Sequence, residues 1–344
     1  MAEHITRRQA LTAGAAAGVM AGSVGSTAEA QLLSKAWGDD FLMPWSPDGG
    51  VSRALTPGNT PIRLSCSAYG LSYSADLNIP ERVKEIRRAG YTAAEGNDEW
   101  KLATDSQIRE LKDALRESDL MFYALHRCIN NIHPDLSERR KINKRVAEMV
   151  EAADRLGLTF VVSHTGSVSP DSATMPHRDN WTKEAWDASV TALKQILKDT
   201  SGSSVALGIE ALNPCNINNP KAHVRLREDV GDSRIKVTLD PQNMLSMATY
   251  YRSTELVNEC FDLLGEDICY AHCKDVLLKQ TMLPSFEWVV VGTGTMDYET
   301  YLTRLSHMKY PRALFLEFLP RDKYPEAKKY VEETAAKVGV KIYS

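Results

Sequence analysis

Gly208-Ile209-Glu210, Thr238-Leu239-Asp240, Tyr270-Ala271-His272 and Phe315-Leu316-Glu317 each close a short apolar, β-rich run on a side chain able to ligate a metal ion. The intervals between them are long enough for a crossover helix, so the runs are predicted to be parallel strands whose ends converge. Three carboxylates and one imidazole meeting there form a hard, oxygen-rich donor set. It suits Mn²⁺, Mg²⁺ or Co²⁺ more than a structural zinc.

Outward from these runs the same alternation continues. Strands are expected at 62–67, 91–95, 120–126, 159–164, 205–212, 235–240, 268–273 and 313–319. Between them the apolar spacing turns helical, at 80–89 with Pro80 in the first turn, 106–117, 137–156 ending at Gly157, 183–198, 220–229, 254–264, 297–308 and 325–338. An open doubly wound sheet also alternates in this way, but no Gly-rich phosphate loop follows the first strand, and polar residues mark strand ends all around the chain. The predicted fold class is α/β, a (β/α)8 TIM barrel with its site at the C-terminal rim. Glu95, His126 and His164 then face the same cavity as the four later residues. Gly292 and Gly294 read as a tight turn, and Asp297 as the cap of the helix behind it.

The chain has 344 residues, 43% hydrophobic and 25% charged, with a formal net charge of −4. That is enough for one large domain, and it lacks the basic footprint of nucleic-acid binding. The basic run Arg139-Arg140-Lys141 through Lys144-Arg145 falls in a helical pattern and reads as a solvated face. Residues 1–30 carry Arg7-Arg8, a weakly apolar Ala/Gly-rich stretch from Thr12 to Ser26, and Ala28-Glu29-Ala30, the order of a twin-arginine export signal cleaved after Ala30. Residues 31–61, rich in Gly, Pro and Ser, read as an extended arm, and 62–344 as the barrel. No other stretch approaches the roughly 18 apolar residues of a membrane span. The mature protein is therefore expected to be soluble, without stable membrane insertion, in the periplasm or outside the cell. Six cysteines are too sparse for a disulfide framework, and Cys66, Cys269 and Cys273 are expected to be free and buried.

Glu210-Ala211-Leu212-Asn213, Asp240, His272-Cys273-Lys274-Asp275, Gly292-Thr293-Gly294 with Met296-Asp297, and Glu317, in this order at these strand ends, resemble the xylose-isomerase-like barrels of the sugar phosphate isomerase/epimerase superfamily, the AP endonuclease family 2-like group. The similarity runs from about Ile62 to Gly339. It implies a single divalent ion, Mn²⁺ first with Mg²⁺, Co²⁺ or Zn²⁺ as alternatives, held by Glu210, Asp240, His272 and Glu317. It also implies that Glu210 and Glu317 trade protons with the substrate carbon from opposite faces. The chemistry has its own motive. A proton α to a carbonyl is too weakly acidic for an unassisted carboxylate, so the metal must act as Lewis acid and hold the developing enediolate charge. His164, Lys274, Asn213, Asn243, Glu95 and His126 are the expected substrate contacts. Ketose 3-epimerases of the superfamily carry a histidine three residues after the aspartate and an arginine six after the metal histidine. Here those positions are Asn243 and Leu278, which speaks against ketohexoses. The endonuclease IV type holds three zinc ions with further histidines that this chain lacks, and the acidic net charge also argues against DNA repair.

The expected function is an exported, divalent-metal-dependent sugar isomerase or epimerase that removes an α-proton from an unphosphorylated sugar or keto-sugar. A dehydratase or keto-glycoside lyase shares that first step. A metal-dependent hydrolase and a non-catalytic carbohydrate-binding barrel are the readings from other classes. Trp100, Trp181 and Trp288, in or beside loops, are candidates either for stacking on sugar rings or for packing the loops. Barrels of this group commonly pair, so the resemblance also admits a homodimer or homotetramer.

Overall fold

Strand and helix alternate because period-two and helical apolar spacings alternate in the sequence. The computed structural model describes residues 56–66, 77–97, 100, 104–309 and 313–343. The export signal expected at 1–30 and residues 31–55 of the arm lie outside the described residues. From the N-terminal side come β1 (Ile62–Cys66), α1 (Ile79–Arg88), β2 (Ala93–Gly96), α2 (Asp105–Glu117), β3 (Met121–His126), α3 (Leu136–Leu156) and β4 (Phe160–Ser163). α4 (Lys183–Asp199), β5 (Ala206–Glu210), α5 (Pro220–Val230), β6 (Ile235–Leu239), α6 (Ser253–Leu264) and β7 (Ile268–Cys273) continue the alternation. A hairpin of β8 (Asp275–Lys279) and β9 (Ser285–Val289) interrupts it before α7 (Tyr298–Ser306), β10 (Ala313–Leu316), α8 (Tyr324–Val338) and β11 (Ile342–Tyr343).

β1 to β7 and β10 pair in parallel with their neighbours, and β10 closes onto β1 with Leu314 beside Leu64. The result is a (β/α)8 barrel. β11 adds to β1 through Ile342 beside Ile62. Helix ends follow local chemistry. Asn78 and Thr104 close capping boxes with Glu81 and Gln107, Asp135 accepts from the N–H groups of Ser137 and Glu138, and Gly157 ends α3 in the left-handed conformation. Asp297 caps α7 as expected, accepting from the Thr300 N–H. No helix among the described residues is long and apolar enough to cross a membrane.

Period two decides which side chains face the barrel axis. Ala94, Leu125, Val161, Ile209, Leu239, Ala271 and Leu316 turn outward into the layer shared with the helices. Their neighbours Ala93, Ala124, Phe160, Val162, Tyr270, Ala313 and Phe315 form a separate apolar plug inside the barrel. Two residues beyond each of several plug residues comes a polar one: Glu95, His126, His164, His272 and Glu317. Each fully buried aliphatic side chain contributes roughly 1.5–3 kcal/mol, so the outer layer pins the register. A slip by one residue would turn the polar set into the helix layer.

Of its two alternatives, Trp100 takes packing. It is 1% exposed, its ring lies 5.3 Å from that of Phe122, and a Cβ on Gly96 would meet its Cγ at 2.5 Å. It fills the core and is closed to a sugar. Cys66 and Cys273 are buried and Cys269 half-buried, and none of the three forms a disulfide.

Candidate active site

The apolar plug ends at Tyr270, whose hydroxyl donates to Glu95 Oε2 at 2.9 Å. Glu95 Oε1 lies 3.3 Å from His126 Nδ1, and Glu95 is fully buried, on the floor of the rim cluster. Above it, Glu210, Asp240, His272 and Glu317 each offer one ligand atom within 4.8 Å of the others, and all four are buried. His272 Nδ1 is 3.2 Å from Glu210 Oε1, 3.4 Å from Glu317 Oε2 and 3.6 Å from Asp240 Oδ2. Lys274 Nζ lies 2.6 Å from Asp240 Oδ2, 2.7 Å from Glu317 Oε2 and 3.4 Å from Glu210 Oε1.

These distances suit a cation-binding set. Asp240 Oδ2 and Glu317 Oε2 meet only the Lys274 ammonium, and both ring nitrogens of His272 lack a well-aligned hydrogen bond, although all are shut off from solvent. A buried polar atom left in that state costs about 1–3 kcal/mol, so several turned toward one another mark a ligand site and not a packing one. Three carboxylates against the one ammonium of Lys274 leave two negative charges, which a divalent ion neutralises. Oxygen donors outnumber nitrogen, and the residues present fit such an ion.

Burial opposes charge on each of these groups, and their mutual attraction overrides it. Burial alone would lower His272 and Lys274, but the carboxylates of Glu317, Glu210 and Asp240 raise both well above their ordinary values. Burial would likewise raise Glu210, yet His272, Lys274 and His164 hold it well below the usual carboxylate range. His126 is raised against its burial by Glu95 first, then by Glu317 and Glu210.

His164 Nε2 is 3.0 Å from Glu210 Oε2 and His126 Nε2 3.7 Å from the same oxygen, so these three form a second, overlapping cluster. The two imidazoles stack at 5.8 Å. Asn243 donates its side-chain amide to Glu210 Oε1 at 2.7 Å and its backbone N–H to Asp240 Oδ1 at 3.3 Å. Asn213 instead donates to the backbone carbonyl of Leu245, and no hydrogen bond joins it to the cluster. The structure thus brings together Glu95, His126, His164, Asn243 and Lys274 with the four expected ligands, and leaves Asn213 to the rim backbone.

Lys274 and Asp275, adjacent in sequence, part company. Lys274 turns to the carboxylates, whereas Asp275 accepts five backbone N–H groups at 2.9–3.1 Å, from Val276, Thr295 and Met296 on Oδ1 and from Gly292 and Gly294 on Oδ2. A Cβ on Gly294 would lie 2.2 Å from Asp275 Oδ1, so only glycine admits the carboxylate. The Gly-Thr-Gly-Thr-Met segment is therefore more than a turn: it is a nest of amides around one side chain.

The β8–β9 hairpin has no counterpart in the sequence reading. Its Trp288 stacks on Phe318 with ring centroids 4.5 Å apart. Phe318 directly follows Glu317 and holds φ at +52°, a conformation costing a bulky residue about 1–3 kcal/mol. The signal available was the apolar alternation of Val276, Leu278, Phe286 and Trp288. Trp181 is 55% exposed, so it remains open to solvent.

Residues 83–336 match the xylose isomerase-like TIM barrel family. No curated protein matches the chain. Among solved structures it resembles a xylose isomerase-like TIM barrel protein from Mycobacterium smegmatis in complex with magnesium, at 13% identity and TM-score 0.58, over 81% of this chain and 98% of that one. It also resembles an L-ribulose 3-epimerase, at 14% identity and TM-score 0.61, over 81% of this chain and 96% of that one. A third likeness is to a 3-keto-D-glucoside 4-epimerase from E. coli, at 16% identity and TM-score 0.58, over 79% of this chain and 99% of that one. At such identities the likeness is one of fold.

Proposed function

The chain belongs to the xylose isomerase-like TIM barrel family, and from that premise we propose that it is a divalent-metal-dependent isomerase or epimerase acting on an unphosphorylated sugar or keto-sugar. Its reaction begins with removal of a proton α to the substrate carbonyl. The observation that carries this reading is the buried set Glu210, Asp240, His272 and Glu317 at the C-terminal rim, each with a ligand atom within 4.8 Å of the others. Magnesium in one structural neighbour and epimerase activity in two others support it.

Glu210, Asp240, His272 and Glu317 would hold the ion, which when bound supplies Lewis-acid polarisation of the carbonyl. Glu317, whose Oε2 is paired with the Lys274 ammonium at 2.7 Å, takes the α-proton. Glu210, held ionised and oriented by His164, Asn243 and Lys274, relays to the opposite face a proton supplied by His164 or His126. His164 and His126 stand beside its Oε2, placed to restore that proton. Three basic side chains could have gripped a phosphate. Arg321 pairs with Glu85, Lys323 with Glu326 and Lys274 with the carboxylates, which favours an uncharged substrate. Arg7-Arg8 and Ala28-Glu29-Ala30 support export by the twin-arginine route, so the sugar would be met outside the cytoplasm.

Exchange of carbon-bound protons with D₂O, followed by NMR over ketoses, inososes and 3-keto-glycosides, tests the reading. Exchange that stops when a chelator is added is the expected result. A protein that binds the ion and exchanges no proton on any of these compounds would overturn it.

A further inference from the structure

In the β8–β9 hairpin Trp288 lies opposite Val276 and shares a face with Phe286 and Leu278. Val276 is buried, and Phe286 and Leu278 pack against the core, so this is the face turned toward the barrel. Trp288 is nonetheless 58% exposed. It rests on Phe318, itself 52% exposed. The Phe318 centroid is 4.7 Å from Lys274 Nζ, the same ammonium that touches Asp240 and Glu317. Two open aromatic rings therefore lead outward from the carboxylate cluster.

We propose that Trp288 and Phe318 form a stacking platform for a second sugar ring, so that the substrate is a glycoside, a keto-sugar joined to another ring, and not a free monosaccharide. This rests on the reading of the rim cluster as a site that acts on a sugar. The left-handed backbone at Phe318 is one support, because a bulky side chain keeps that conformation only where the surroundings hold it, and such outliers gather at ligand sites. Charge is another. Lys279 and Glu287 lie on the hairpin's other face and pair there at 2.9 Å, so neither brings its charge to the Trp288 side. Exposed aromatic faces attract the C–H face of a neutral ring. Position is the third, since the platform begins beside Lys274, whose ammonium touches Asp240 and Glu317.

Titration calorimetry on the Mn²⁺-supplied protein tests this with matched probes, methyl 3-keto-glucosides and the corresponding 3-keto-disaccharides in both anomeric series. The readout is the ratio of two-ring to one-ring affinity. Wild type should favour two rings about tenfold or more. Trp288→Ala should bring the ratio to within about twofold of unity, and Trp288→Phe should restore most of it. Phe318→Gly should lower the ratio without lowering the melting temperature, since glycine relieves the backbone strain. The platform is overturned by a wild-type ratio near one, by failure of every two-ring probe to bind, or by an unchanged ratio in both Trp288→Ala and Phe318→Gly. A change of oligomeric state in Trp288→Ala with the ratio intact would also overturn it. D₂O exchange on the same probes separates the two failures. Exchange on one-ring probes without two-ring preference removes the platform alone, whereas a Trp288-dependent preference without any exchange removes the proposed chemistry and keeps the platform.

Discussion

Asp240 and Asp275 are both buried carboxylates at the C-terminal rim, and their surroundings are opposite. Asp275 sits in a closed site where five backbone N–H groups fill its lone pairs. Asp240 Oδ2 is met only by the Lys274 ammonium, at 2.6 Å, and shares its space with an imidazole and two more carboxylates. The first arrangement is complete and can only hold the fold together. The second is held in place by its neighbours yet left open, as a ligand-binding group must be.

The largest effect expected from breaking this contrast is on the open side. Asp240→Ala should weaken Mn²⁺ or Mg²⁺ binding by about a thousandfold or more, equivalent to roughly 4 kcal/mol, read as loss of the ion-induced rise in melting temperature. Without the ion, the variant should melt close to wild type, because Lys274 keeps Glu317 and Glu210. Unchanged metal content in Asp240→Ala would sink the four-ligand site. On the closed side the order reverses. Asp275→Ala strands five backbone donors, two buried and three part-buried, and should cost about 4 kcal/mol of stability by denaturant titration, with ion affinity of the folded protein shifted only a few-fold. Asp275→Asn, which keeps the Oδ1 acceptor, should lose about half as much. Metal loss without destabilisation in Asp275→Ala would collapse the distinction.

Only the open half of this contrast was legible in the sequence. Apolar runs of period two carry their own register, and Glu95, His126, His164, His272 and Glu317 each stand two residues beyond an inward apolar residue. A chain read strand by strand therefore points its polar ends at one place. Asp275 carries no such mark, because its partners are backbone N–H groups of residues 276 and 292–296, and a backbone donor has no residue identity. The hairpin escaped for a related reason. β8 begins one residue after β7, with Lys274 alone between them and no turn residue to separate the strands. The choice between stacking and packing for Trp100 stayed open in the sequence because its burial depends on the space left by Gly96, which is a tertiary fact.

His223 in α5 sharpens the comparison with a third case, a buried group that has neither a filled shell nor a close opposite charge. It is 1% exposed, its Nε2 makes no hydrogen bond, and burial, then Arg227, push its pKa down to about 4. The unfolded chain takes up a proton at about pH 6.5, so between that pH and about 4 it binds a proton that the folded protein refuses. Stability should therefore fall as pH drops through this window, by up to roughly 3 kcal/mol from this residue. Comparing denaturation midpoints of wild type and His223→Leu from about pH 7 down to about pH 4.5 isolates it. The expected result is a gap that shifts in favour of the variant as the pH falls, and a gap constant with pH would show that His223 is protonated in the fold.

Asp297 tests the closed arrangement at its weakest. Like Asp275 it accepts from neighbours on both oxygens, the Thr300 N–H at 3.0 Å on Oδ1 and the hydroxyls of Thr254 and Thr300 at 2.6 and 2.7 Å on Oδ2. It lies at the start of α7, only part-buried, so water can replace what a substitution removes. Asp297→Ala should then cost about 1 kcal/mol, the ordinary worth of a helix cap, and Asp297→Ser a few tenths. Ion affinity should not move, because Asp297 touches none of the four rim ligands in its hydrogen bonds. If both aspartates cost the same when replaced by alanine, the nest around Asp275 is no more than a cap, and the contrast between closed and open carboxylates reduces to burial alone.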